Sequence, residues 1–207
     1  MTAPATRDPD RTRARILSAA RTAFAARGLA GARVDAIAEG SGANKRMLYY
    51  YFGDKDGLFV AVLEQIYEEL TEAAGRLDLD QPPLQALDAY VDFVWGYYRD
   101  NRDAIAILNS ENLHGARHVA ASGTVRRMEA PFVARLDALL ARGRAAGVFR
   151  ADLDAFRLHL STVALAYFYL SNSASLSVFF NRDLSSAAAL GGWAAHVRDA
   201  VRRIVAT

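Results

Sequence analysis

The chain has 207 residues, of which 52% are apolar and 10% aromatic, with no cysteine and a net charge of +2. That length suits one large or two small domains with a real core, and the apolar content excludes a disordered chain. The missing cysteine excludes a disulfide framework, a thiolate nucleophile and a Cys-ligated metal. Charge is unevenly spread. Residues 1–60 hold ten Lys/Arg against six Asp/Glu, a net of +4, and the remainder holds fifteen against seventeen, a net of −2. A basic amino-terminal part is the electrostatic footprint of a phosphate-rich partner. The start of the chain has no apolar run like that of a signal peptide, and no stretch reads as long and clean enough to span a bilayer. A cytoplasmic protein without a membrane partner is expected.

Residues 1–7 read as an arm from which Arg7 can reach outward. Asp8 as cap and Pro9 at the first helical position predict a first helix to about Arg27, burying Ile16, Ala20, Ala23 and Phe24. Gly28 ends it as a left-handed cap. The most informative stretch follows. Helices over 34–39 and 44–52 meet at a tight corner at Gly42, where the turn needs φ > 0 and a side chain is expected to clash. Ala38 is small because the helices cross there, and Asn44 caps the second helix. Met47, Leu48 and Tyr51 face inward, while Lys45, Arg46, Tyr49 and Tyr50 point elsewhere. Phe24, Val34, Ile37, Leu48 and Phe52 form the expected core of this three-helix module. The pattern is that of a helix-turn-helix whose second helix enters the DNA major groove.

Asp54 is the cap of a fourth helix over 55–76, with Leu58, Val62, Ile66 and Leu70 on one face. Its positive end and Lys55 make a phosphate clamp. This helix links a DNA-binding domain (residues 1–54) to a larger second domain (55–207). A loop through Pro82-Pro83 leads to a fifth helix with Leu84, Leu87, Val91, Val94 and Tyr98 at helical spacing. The sixth covers about 102–113. Gly115 and Gly123 break the next stretch, and Pro131 starts or kinks a seventh helix that ends at Gly147. Asp152 caps an eighth, carrying Phe156, Leu160, Val163, Tyr167 and Leu170. A ninth lies within 185–205, with Leu190, Trp193, Val197, Val201 and Ile204. The fold class is all-α, with about nine helices and no strand alternation.

The amino-terminal part resembles the tetracycline-repressor (TetR) family. The resemblance rests on Arg15-Ile16-Leu17-Ser18-Ala19-Ala20 with Phe24, and on Arg27-Gly28-Leu29. It continues through Val34, Ile37-Ala38, Gly42, Leu48-Tyr49-Tyr50-Tyr51-Phe52, Asp54-Lys55-Asp56 and Leu58. It is dense over about residues 10–65. Two departures stand out: Arg33 where the family usually has Thr or Ser, and Ala43-Asn44 where it often has Val-Ser or Val-Thr. The resemblance implies a ligand-responsive repressor acting as a homodimer on palindromic double-stranded DNA. A ligand wedges the second domain, swings the fourth helix and changes the spacing of the recognition helices. A DNA-binding activator or constitutive regulator without an effector is the alternative.

On this reading Lys45, Arg46 and Tyr50 read bases, Arg33, Tyr49 and Lys55 hold phosphates, and Asn44 stands at a base- or phosphate-contacting position. The second domain has dense aromatics: Phe93, Trp95, Tyr97 and Tyr98, then Tyr167, Phe168 and Tyr169. These are core residues or the walls of a small-molecule site. Of them Phe93, Tyr97 and Tyr167, with Asn109, Asn112, His114, His118 and Asn172 as polar anchors, form the candidate ligand site. Residues 109–115, Asn-Ser-Glu-Asn-Leu-His-Gly, are similar to a stretch in the branch of pyrimidine-utilisation and nicotinate-degradation regulators. That similarity implies a small planar, polar aromatic or heterocyclic effector. Glu111, His114 and His118 have a metal-like spacing, but surface or pocket histidines are the default and no metal or other cofactor is expected. Leu160, Tyr167, Trp193, Val197 and Val201 carry the expected dimer interface, or else close the monomer core. No glycine-rich phosphate loop, Gly-x-Ser-x-Gly elbow or acid pair suggests an enzyme.

Overall fold

The computed structural model describes residues 9–128 and 131–207. Among these residues the secondary structure is helical, without a strand. The helices are α1 (Pro9–Gly31), α2 (Val34–Ser41), α3 (Lys45–Phe52), α4 (Lys55–Gly75), α5 (Pro83–Asp100), α6 (Arg102–Leu113), α7 (Arg117–Ala121), α8 (Gly123–Arg127), α9 (Pro131–Ala145), α10 (Ala155–Phe180) and α11 (Ala187–Val205). The five-residue α7 and α8 occupy the stretch that Gly115 and Gly123 were expected to break. Pro131 opens α9. The arm with Arg7 and the Asp8 cap lie outside the described residues.

Two compact units result. One is the described part of residues 1–68 with 103–127; the other is residues 69–102 with the described part of 128–207. These units do not follow a boundary at 54/55. Leu58, Phe59, Val62, Leu63 and Ile66 of α4, with Ala104 and Ile107 of α6, share a core with Ile16, Phe24, Ile37 and Leu48. Removing the Val, Leu, Ile and Phe side chains among these from water stabilises by roughly 1.5–3 kcal/mol each. Phe24 meets Phe59 edge-on at 5.0 Å. Arg21 pairs with Asp103, tying α1 to α6. Val34 and Phe52, expected in the core, are partly buried against it.

The corner between α2 and α3 follows from backbone geometry. Gly42 has φ 63° and ψ 23°. Its N–H donates to Glu39 O (3.0 Å), and Ala43 N–H donates to Ala38 O (3.1 Å). This closes the helix by the paired 5→2 and 6→1 bonds of a Schellman turn. The glycine is required by its φ and not by crowding: an added Cβ meets only Arg15 Nη1, at 3.5 Å. At Gly28 φ is 63° but ψ is 177°, so the expected left-handed cap is instead a glycine-specific extended break within α1.

In the second unit α5 packs against α9, α10 and α11, and α10 also packs against α9 and α11. Asp154, not Asp152, caps α10, accepting from Arg157 N–H at 2.7 Å. Asp152 pairs with Arg150 instead. With 26 residues and a mean hydropathy of 1.4 over its most apolar window, α10 is long and apolar enough to cross a bilayer, contrary to the sequence expectation. It does not read as a clean apolar run because Ser161, Ser171, Ser173, Ser175 and Ser177 interrupt it. The glycine at 143 lets Phe149, 2% exposed, fold back over α9. A Cβ there would lie 1.8 Å from the ring.

Candidate functional site

The exposed residues of α2 and α3 form one polar and aromatic face. Arg33, Asn44, Lys45, Arg46, Tyr49 and Tyr50 are all exposed, Tyr50 at 82%. A tyrosine so open, on a helix whose Leu48 is buried, is not part of the module's core. Arg33 and Arg46 make no ion pair among the described residues. Lys45 differs: its Nζ lies 2.6 Å from Asp35 Oδ1 on α2. The hydrogen bond to Asp35 and the charge of that carboxylate raise the lysine's pKa. Asn44 Oδ1 accepts from Met47 N–H at 3.0 Å, so this side chain serves its own helix start.

Asp54 Oδ1 caps α4, accepting from Gly57 N–H at 2.7 Å. Lys55, half-buried, turns back and donates to Ala32 O (3.3 Å) and Ala30 O (3.5 Å). Its ammonium thus ties the α1–α2 connection to the start of α4. Sequence reasoning missed Gly57. A Cβ there would lie 2.1 Å from Phe52 O, so only glycine lets the α3–α4 turn close this tightly.

The second unit contains a cavity of about 160 Å³. Its walls include Phe93, Tyr97, Tyr98 and Phe132, with Thr71 and His159 as polar members. His159 is half-buried, and its Nδ1 lies 3.0 Å from the Tyr90 hydroxyl. Burial lowers the imidazole pKa below 6.5. Burial also raises that of Tyr90. Both groups are therefore neutral at pH 7.

Comparison with known proteins gives the context. Residues 16–62 match the family described as "Bacterial regulatory proteins, tetR family". Residues 83–201 match "Tetracyclin repressor-like, C-terminal domain". The HTH-type transcriptional repressor NicS of Pseudomonas putida is 38% identical over 195 residues, covering 94% of this chain and 92% of that protein. The chain belongs to the TetR family.

It is accordingly a DNA-binding transcriptional regulator and not an enzyme. The HTH-type transcriptional repressor SCO4008 of Streptomyces coelicolor is 35% identical over 109 residues, covering 53% of this chain and 54% of its own. Among solved structures, SCO4942 of Streptomyces coelicolor superposes with a TM-score of 0.70 at 25% identity, over 94% of this chain and 98% of that one.

Against this TetR-family frame, the expected ligand set divides. Phe93 and Tyr97 line the cavity. Asn109, Asn112, His114 and His118 belong to the first unit, whereas every cavity residue belongs to the second. Asn112 is exposed, and His114 Nδ1 lies 2.7 Å from Ser110 O. Glu111 is 2% exposed and organises the α6–α7 corner. Its Oε1 accepts from His118 N–H (2.8 Å) and Val119 N–H (3.0 Å), and its Oε2 accepts from His118 Nδ1 (2.6 Å). These bonds close a corner at which Gly115 and Ala116 both have positive φ. The described residues contain no group of three or more His, Cys, Asp or Glu placed to hold a metal.

Tyr167 stacks edge-on with Tyr98 at 5.2 Å but is not among the cavity residues, and Asn172 donates to Phe168 O. Trp95, Tyr169 and Trp193 form a separate aromatic cluster, the last two stacked at 4.5 Å. Of the expected dimer residues, Val197 and Val201 are fully buried within the chain and have no surface to offer a partner. The helical stripe of α11 that contains them faces α5 and α10. Leu160 is 50% exposed, and Trp193 and Tyr167 are half-buried.

Proposed function

We propose that the chain is a ligand-responsive repressor that binds a palindromic operator as a homodimer and leaves it when a small planar, polar aromatic or heterocyclic molecule enters the second unit. The observation that carries this reading is the apolar, aromatic-walled cavity with its half-buried imidazole, in a chain whose other unit exposes Arg46, Tyr49 and Tyr50 on a DNA-reading helix. Arg46 and Tyr50 read base edges. Arg33 and Tyr49 hold phosphates, with Lys45 and Lys55 adding positive charge. The repressor name of NicS supports repression as the output.

A ligand shifts such an equilibrium only if it binds the DNA-incompetent state more tightly. α4, whose residues are divided between the two units, is the proposed link. The proposed dimer face is the outer stripe of α10, where Phe156, Leu160 and Phe168 are at least half exposed. A single helix-turn-helix makes few contacts, so two-fold pairing gives the affinity a lone unit lacks. A cytoplasmic location fits a partner that is chromosomal DNA.

The test is fluorescence anisotropy on a duplex obtained by random-oligonucleotide selection, followed by titration with monocyclic aromatics and nitrogen heterocycles. Selection of a palindrome and release by such a compound are expected. Sequence-selective binding that no compound of this class reverses would leave a regulator without an effector.

A further inference from the structure

The lining of the cavity in the second unit restricts the charge its occupant can carry. Helices α4, α5, α9 and α10 supply the wall, together with Met128. None of the twelve lining residues is Asp, Glu, Lys or Arg. Residues 129 and 130, outside the described residues, are Glu and Ala by sequence and bring no positive charge. Arg135 of α9 touches the lining residue Ala74, but its guanidinium is engaged there. It donates to the carbonyls of Ala74, Gly75 and Leu77 at the end of α4. His159 is the one lining side chain that can become a cation, and burial keeps its imidazole neutral at pH 7. The rings of Phe93, Tyr97, Tyr98 and Phe132 carry negative faces, which disfavour an anion further.

A carboxylate moved into such surroundings loses its hydration and gains no partner. An amide or hydroxyl of the same shape loses far less. The space is also small. An apolar cavity of about 150 Å³ holds one benzene, and this one is about 160 Å³. We propose that the cavity excludes anions, so that its ligand is a single ring bearing amide, ring N–H or hydroxyl groups and not an aromatic acid. The Thr71 hydroxyl and the His159 imidazole are the neutral polar groups that meet such substituents. This rests on the reading of the cavity as the effector site. It goes further by fixing the charge of the effector.

The test uses the full-length protein without DNA at pH 7 and two pairs matched in shape, benzamide with benzoate and 1,2,3-triazole with tetrazole, titrated calorimetrically. Tetrazole is a ring anion at this pH, so its charge cannot be left at the rim beside the exposed Thr71. In each pair the neutral member should bind roughly a hundredfold more tightly, because the ion alone arrives without a partner. The ratio of the two Kd values is then measured in His159→Lys, which sets a positive charge in the wall, and should fall by roughly tenfold or more. Should that variant fail to melt cooperatively, Thr71→Lys at the rim takes its place. An anion that binds wild type within about tenfold of its neutral partner overturns the proposal. So do unchanged ratios in the lysine variant, or no binding by any of the four probes. Release of DNA is measured separately. Neutral-selective binding that leaves the DNA complex intact counts against the effector reading and not against the exclusion of anions.

Discussion

Lys55 gives the sharpest test of how the first unit meets DNA, because its position supports two separable effects. Its ammonium donates to the carbonyls of Ala32 and Ala30, and it sits at the start of α4. Replacing it by alanine removes both bonds, of which the shorter is 3.3 Å. Partly exposed hydrogen bonds of this kind are worth on the order of 0.5–1.5 kcal/mol, so Lys55→Ala should lower stability by about 1 kcal/mol. A phosphate contact is read differently. Losing one neutralised phosphate reduces the slope of log K against log salt by about 0.9. Between 50 and 200 mM salt, the wild-type advantage over the variant should then shrink by about 3.5-fold, the fourfold change raised to that power. The assay is anisotropy with a labelled duplex at several salt concentrations, alongside a urea melt. An unchanged salt slope with reduced stability would show that the lysine is a backbone tie and refute the clamp. An unchanged melt would refute the tie.

Other expectations are as direct. Gly143→Ala and Gly96→Ala both add a methyl group to a helix of the second unit, yet they should differ in sign. The first collides with Phe149 and should destabilise by roughly 1–3 kcal/mol; the second meets nothing within 4 Å and should stabilise by up to about 1 kcal/mol. Equal urea midpoints would contradict the packing described for Phe149. Ala116→Gly should relieve a left-handed alanine (φ 59°) by roughly 1 kcal/mol, visible as a higher melting temperature. Because burial lowers the pKa of His159, the unfolded chain takes up that proton first as pH falls below about 6.5. The stability contributed by the neutral imidazole is complete above that pH. It is lost as the pH falls toward the lowered value, and His159→Gln should flatten that part of the stability–pH curve. Leu160→Asp, on the outer face of α10, should yield monomers by analytical ultracentrifugation and weaken DNA binding, whereas an unchanged dimer would move the interface elsewhere.

The corner at Gly42 was legible because its chemistry is local. A small residue, a residue with positive φ and a capping asparagine within seven positions leave the backbone few alternatives. The burial of Ile16, Phe24, Ile37 and Leu48 was legible for the same reason, as a period of 3.6. The extent of the first unit was not. Asp103 and Ser110 reach α1 across some eighty residues of chain, and no local pattern announces that. The cavity was half visible: Phe93 and Tyr97 stand out as aromatics, while His159 and Phe132 are unremarkable until helices far apart in sequence are packed together. Asn109, Asn112, His114 and His118 were drawn into the ligand set by composition. Glu111 shows the real reason for part of that polarity, which is to satisfy the backbone of a sharp corner. Val197 and Val201 illustrate a general ambiguity, since an apolar stripe does not say whether its cover comes from the same chain or another.

The hydrogen bond from Met47 N–H to the Asn44 side chain has a practical consequence for anyone wishing to redirect this regulator to a new promoter. In a combinatorial library at position 44, residues other than Asp, Ser, Thr or Gly would fray the start of the recognition helix at a cost of about 1 kcal/mol, because diversity there trades against the integrity of the probe itself. Varied codons belong at positions 46, 49 and 50, where side chains are open and unengaged by the scaffold's own backbone. Position 35 is a useful fourth choice, since changing that carboxylate alters how firmly the neighbouring lysine is held without touching the turn.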